Sequence, residues 1–202
     1  RINVINDAIQ SKANVAILDD GFQDFSINKN LSIVCFNEKQ WIGNGLVIPS
    51  GPLREGLIAL KRAGCVMING EKNTDIENRI LRHNKEIKIF YSKYKAQNID
   101  KFKNKKVTAF AGIGNPVNFF NLLKNNNIDI LEEISFPDHY EYLDKELENL
   151  IYKAKENHTI LLTTEKDYFR INENYKKNIN CLKIVVEIEN RNQFIEEIKK
   201  VI

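Results

Sequence analysis

The sequence predicts an α/β fold built on a largely parallel sheet. Apolar, strand-like runs alternate with amphipathic helical periodicity along the whole chain. The nine glycines all fall between positions 21 and 114, and Pro49, Pro52, Pro116 and Pro137 sit in the connections between runs. Several apolar runs end directly in polar, chemistry-bearing residues, which is where open α/β sheets place their sites.

Taken in order, residues 3–12 have helical spacing, and 15–19 (VAILD) read as a strand running into Asp19 and Asp20. Strands follow at 31–36 and 65–69, with a helix at 53–62 between them. A helix at 75–84 precedes a strand at 87–91. The polar stretch 92–106 reads as a linker, which divides the chain into domains at 1–91 and 107–202. Beyond it come a strand at 107–111, a helix at 117–125, a short strand ILEEISF and a helix at 143–156. A strand at 159–163, a helix at 165–171, a strand at 181–187 and a helix at 191–199 complete the pattern.

Composition narrows the function classes. At 202 residues, 43% hydrophobic and 28% charged, the chain can bury a substantial core as a globular protein. The net charge of +3 is spread over interleaved Lys and Glu rather than a basic stripe, which argues against nucleic acid as partner. Cys35, Cys65 and Cys181 lie singly inside apolar runs without metal-ligand spacing, so they are expected to be buried, reduced thiols. No apolar run is long enough to span a membrane.

The chemistry concentrates at five strand ends. Asp19 and Asp20 offer two hard oxygen donors for a divalent cation, with Gly21 turning the chain and Gln23 beside them. An Asp-Gly turn is equally the ordinary end of a strand. After Gly43-Asn44-Gly45 comes Pro49-Ser50-Gly51-Pro52-Leu53-Arg54-Glu55, where Arg54 could grip a phosphate at a helix start and Glu55 could serve the helix dipole, although a rigid strand-to-helix connection explains the same residues. Gly112 and Gly114 form a tight strand-to-helix turn able to face a phosphate. Val117 occupies the position of the third glycine of a dinucleotide fingerprint, which weakens an NAD reading. Asp138 and His139 follow a strand on a loop, where the histidine could relay a proton. Thr164 can cap the following helix with Asp167 at its third position, while Lys166 has no structural necessity and is left for a phosphate.

In this order, DDGFQ, GNG with PSGPLRE, AFAGIGNP, FPDH and TTEKD resemble the tetraacyldisaccharide 4′-kinases of lipid A biosynthesis over roughly residues 15–170. The resemblance implies a P-loop kinase-like parallel sheet flanked by helices, followed by a second, smaller α/β domain. It implies ATP and Mg2+ as cofactors, and transfer of the γ-phosphate to the 4′-hydroxyl of a tetraacylated glucosamine disaccharide, the lipid A precursor. It also implies the cytoplasmic face of the bacterial inner membrane as the place of work; no obligate protein partner is evident in the sequence. By motif, Asp19, Asp20 and Glu55 would serve the metal. Gln23, Arg54, Gly112, Gly114 and Lys166 would lie on the nucleotide side, and His139 with Asp138 would act at the attacking hydroxyl. Asp24 stands where many relatives have histidine, and Gly56 where proline commonly follows. No G-x-x-x-x-G-K-[ST] loop is present. The resemblance therefore places the P-loop, an N-terminal membrane helix and a catalytic aspartate before residue 1. The alternative is a non-catalytic α/β module that binds a nucleotide or a partner without a P-loop.

Overall fold

The structure, a computed structural model, describes residues 2–202 and is an α/β protein of mainly parallel sheets covered by helices. Two compact units divide it: Arg1–Lys93 together with Val186–Ile202, and Tyr94–Val185.

The first unit opens with helix α1 (Ile2–Gln10) and centres on strands β1 (Ile33–Asn37), β2 (Cys65–Asn69) and β3 (Lys88–Ala96). With β8 (Ile184–Ile188) they form a sheet of order β1-β2-β3-β8. β1 and β2 pair in parallel from Ile33 opposite Cys65 to Asn37 opposite Asn69, and β2 pairs in parallel with β3. A strand buried on both faces needs apolar residues at every position, and CVMI supplies them. Val66 and Ile68 face one core with Leu60, Ile76 and Ile80. Cys65 and Met67 face another with Phe90, against which Ile188 and Phe194 pack. Helix α2 (Thr74–Leu81) starts where Asn73 Oδ1 accepts the amides of Asp75 (3.1 Å) and Ile76 (3.2 Å). Helix α7 (Arg191–Lys199) lies in the returning C-terminal segment.

The second unit holds strands β4 (Lys106–Ala111), β5 (Asp129–Ser135), β6 (Ile160–Thr164) and β7 (Asn180–Leu182), all parallel, in the order β5-β4-β6-β7. On one face Val107, Ala109 and Ala111 pack with Phe119 and Phe120 of helix α3 (Pro116–Asn125). On the other Phe110 packs with Leu147 and Leu150 of helix α4 (Asp144–Glu156). Short helices α5 (Glu165–Arg170) and α6 (Glu173–Lys176) follow β6. The chain leaves β4 toward β5 and returns to the opposite side as β6. The strand order thus reverses between β4 and β6, the position beyond whose carboxyl ends open α/β sheets place their ligands.

Four sequence expectations are corrected. The apolar run 15–19 forms no ladder among the described residues; Ile17 is 91% exposed and the chain turns at Asp19 and Asp20. A strand needs a paired edge as well as apolar side chains. The helix at 53–62 shrinks to a 3-10 turn, Leu57–Arg62, because Leu53 bridges back to Val47 and Arg54 and Glu55 precede the turn. The strand expected at 181–187 breaks at Lys183 into β7 and β8, which join different sheets. Asn98 marks the break: its Oδ1 accepts the Lys183 amide at 2.8 Å and its Nδ2 donates to the Cys181 carbonyl at 2.9 Å. Of the free thiols, Cys65 is buried, Cys181 half-buried and Cys35, on the edge strand, exposed. Strand β3 also runs on through Ala96, and a 3-10 turn follows at Ile99–Phe102.

Candidate functional site

Chemistry-bearing residues gather in two clusters, one in each unit. In the first, the turn after residue 18 is tight for a visible reason. A Cβ at Gly21 would come within 2.8 Å of Leu18 Cβ, so only glycine allows the chain to pass. Asp20 takes a left-handed conformation, φ 53°, which aspartate tolerates better than most residues. Its Oδ2 accepts Arg54 Nη1 at 2.6 Å, with both side chains 57% exposed. Such an exposed pair contributes little stability, about 0–1 kcal/mol, and leaves both groups open to solvent and ligands.

Arg54 reaches Asp20 because the two glycine-proline motifs fold as one piece. Asn44 Nδ2 donates to the Ser50 carbonyl at 2.8 Å, and the Ile48 amide donates to the Leu53 carbonyl at 2.8 Å. A side chain at Gly51 would collide with Asn44 Oδ1 and the Leu46 carbonyl. Glu55, half-buried, accepts Arg62 Nη2 on both oxygens at 2.9 Å. The Arg62 guanidinium also lies 4.7 Å from the Phe22 ring centroid and 4.9 Å from that of Phe25. Arg62 therefore joins the Asp-Asp turn to the Arg-Glu segment, a role the sequence did not reveal. A groove of about 1200 Å³ is lined here by Asp19, Asp20, Gln23, Trp41, Arg54 and Glu55. A smaller depression of about 360 Å³ between α4 and α6 carries none of the candidate residues.

The second cluster stands at the carboxyl ends of β4 and β6. The loop after β5 carries Asp138 and His139, both exposed. His139 is left-handed, φ 57°, and its amide donates to Asp138 Oδ1 at 3.0 Å. Asp138 thereby shapes the turn that presents the imidazole. Gly112 and Gly114 lie against this loop: a Cβ on Gly112 would meet the Tyr142 hydroxyl at 2.9 Å, and one on Gly114 would meet Asp138 Oδ2 at 3.3 Å. The cap expected at Thr164 is present, its Oγ1 accepting the Asp167 amide at 3.2 Å. Asp167 itself is fully buried, and its Oδ1 accepts Tyr142 (3.0 Å) and Arg170 (2.7 Å). Burial first, and then the adjacent Asp167 charge, push the Tyr142 phenol far above its ordinary value. Lys166 is exposed at the start of α5. Sequence reasoning missed Tyr142 and Arg170; a tyrosine and an arginine flanking two motifs gave only the faint signal of proximity in the chain.

Among the described residues no group of three or more His, Cys, Asp or Glu is placed to hold a metal, and no helix is long and apolar enough to cross a membrane. The structure brings Asp20 together with Arg54, and Gly114 together with Asp138. Glu55 is brought to Arg62.

Comparison with known proteins gives these clusters a context. The model of the tetraacyldisaccharide-1-P 4′-kinase family matches residues 1–202. The tetraacyldisaccharide 4′-kinase of Pelagibacter ubique is 45% identical over 181 residues, 88% of this chain and 57% of that protein. That of Rickettsia akari is 38% identical over 190 residues, 94% of this chain and again 57% of the relative. The crystal structure of LpxK from Aquifex aeolicus, an "apo" form in complex with ATP, superposes with a TM-score of 0.66 at 28% identity. That match covers 92% of this chain and 56% of the other. The chain thus spans little more than half the length of these relatives, and within that span it belongs to the tetraacyldisaccharide-1-P 4′-kinase family.

Proposed function

We propose that this chain is the acceptor-side and metal-side portion of an ATP-dependent kinase. The complete protein would transfer the γ-phosphate of ATP to the 4′-hydroxyl of a tetraacylated glucosamine disaccharide. The observation that carries the proposal is the occurrence of both clusters in a member of the family: a carboxylate-arginine turn in one unit and a histidine loop beside a reversal of strand order in the other.

Magnesium commonly binds through one or two protein carboxylates, completed by phosphate oxygens and water. Asp19 and Asp20, side by side on the lining of the groove, offer two such carboxylates. Bound there, Mg2+ would supply neutralisation of the charge on the transferring phosphate. Glu55 serves the metal only if its pair with Arg62 opens. Arg54 and Gln23 line the same groove and are assigned to the phosphates. Gly112, Gly114 and Lys166 are assigned to anionic groups approaching the carboxyl ends of β4 and β6.

His139 is assigned as the group that accepts the proton of the attacking hydroxyl, with Asp138 setting its backbone. An acylated acceptor implies work at a lipid surface, here the cytoplasmic face of the inner membrane. The non-catalytic alternative is disfavoured, since every curated relative described above is named as a kinase.

The test is His139→Ala in the complete protein. Turnover is expected to fall by roughly 10²–10⁴-fold while ATP affinity, measured by calorimetry, changes little. Equal turnover of variant and wild type would remove His139 from the reaction.

A further inference from the structure

The loop that carries His139 is held by a buried ionic network that capping does not account for. Asp167 needs only its amide bond to Thr164 to start α5, yet its carboxylate collects three further donors. Thr164 Oγ1 donates to Oδ2 at 2.7 Å, while Tyr142 and Arg170 both donate to Oδ1. Arg170 Nη2 also donates to the Gly112 carbonyl at 2.9 Å. One carboxylate therefore ties together the start of α5, the Gly112 turn after β4, and the far end of the histidine loop.

Energetically this is an unusual way to obtain stability. A buried ion pair repays its desolvation only with excellent geometry and full satisfaction of the remaining donors. Here Arg170 Nη1 is buried with no hydrogen-bond partner among the described residues, a cost of about 1–3 kcal/mol. An apolar contact at the same place would stabilise the unit as well and would fix nothing in direction. The network instead fixes direction. Tyr142 packs edge-on against Phe110 (5.5 Å between centroids) and Phe136 (5.1 Å), and its hydroxyl sits over Gly112, where a Cβ could not fit. At its near end the loop is pinned by the Phe136 amide donating to the Ala111 carbonyl at 2.8 Å. His139 lies between these two anchors.

We propose that Asp167, through Tyr142 and Arg170, is a positioning residue that locks the 137–142 loop to the Gly112 turn and so sets the placement of His139. The proposal rests on the reading of His139 given above. The Asp167 carboxylate meets Thr164, Tyr142 and Arg170 and no reacting group. It acts by removing freedom from a left-handed, exposed loop that would otherwise sample many conformations.

The experiment uses Tyr142→Phe in the complete protein, which keeps the ring contacts and removes only the hydroxyl. Turnover is expected to fall roughly 10–100-fold, with KM for ATP within about twofold of wild type. Amides of residues 138–142 are expected to exchange faster with solvent. In a His139→Ala background the same substitution is expected to cause no further loss of turnover. An unchanged exchange pattern overturns the proposal, as does an equal loss of turnover in both backgrounds. If Tyr142→Phe does not fold, Arg170→Lys keeps the charge beside Asp167, removes the bond to Gly112, and is read in the same way. A wild-type protein without phosphoryl transfer would reject the kinase reading instead. The exchange measurement needs no activity and then decides on the anchor alone.

Discussion

Gly21 shows how much a single atom decides in this protein. It lies next to two carboxylates, and the sequence reading gave it the task of turning the chain. In the structure the left-handed residue is Asp20, while Gly21 is needed for its missing Cβ, since Leu18 Cβ would lie 2.8 Å away. We expect Gly21→Ala to destabilise the first unit by about 1–3 kcal/mol, measured by urea unfolding, because backbone rather than a flexible side chain must yield. A variant with unchanged unfolding would mean that the turn relaxes without cost. Residue identity also marked Asp19, Asp20, Asp138 and His139 as candidates, since each follows an apolar run, and Arg54 at an expected helix start. What identity could not show was partnership. Asp20 meets Arg54 across 34 positions of sequence, and Glu55 meets Arg62 rather than the Asp-Asp turn.

Helices and strands were readable where periodicity and caps agreed. Helix α7 has the expected bounds, and α4 begins one residue later than expected. The start of α4 depends on Glu146, whose Oε2 accepts the Leu143 amide (2.9 Å) and whose Oε1 accepts the Tyr140 hydroxyl (2.7 Å). Leu143 has no side-chain acceptor to complete a capping box, so this carboxylate does the capping alone. The Tyr140 hydroxyl first, and then the Leu143 amide, hold the Glu146 carboxyl below its ordinary value of 4.5. Because the folded value is lowered, its stabilising contribution is present above about pH 4.5 and is lost as pH falls through the lowered value. Stability measured against pH should therefore fall less steeply below pH 4.5 in Glu146→Gln than in wild type; parallel curves would contradict this. Elements whose existence depends on a distant partner were misread. Residues 15–19 have the apolar content of a strand and no ladder, and 53–62 lose most of their helix to a bridge between Val47 and Leu53.

On the largest scale each compact unit carries its own sheet and its own buried residues on both faces of that sheet. Leu162, fully buried at the centre of β6, belongs to the core of the second unit. Leu162→Ala should cost about 2–5 kcal/mol. Hydrogen exchange should show the loss in the amides of Val107, Phe110 and Leu161 before those of Val66 and Ile68. Equal acceleration in both sets would mean that the units open as one. The chain alone established the α/β class, most of the helices, the ordered motifs and hence the family, because these depend on local periodicity and on residue types at strand ends. Tertiary structure decided which strands pair, where the segment 180–188 divides between two sheets, and how Asp167 anchors the loop of His139. Those outcomes depend on hydrogen-bond partners and desolvation at contacts tens of residues apart, and no local pattern of side chains encodes them.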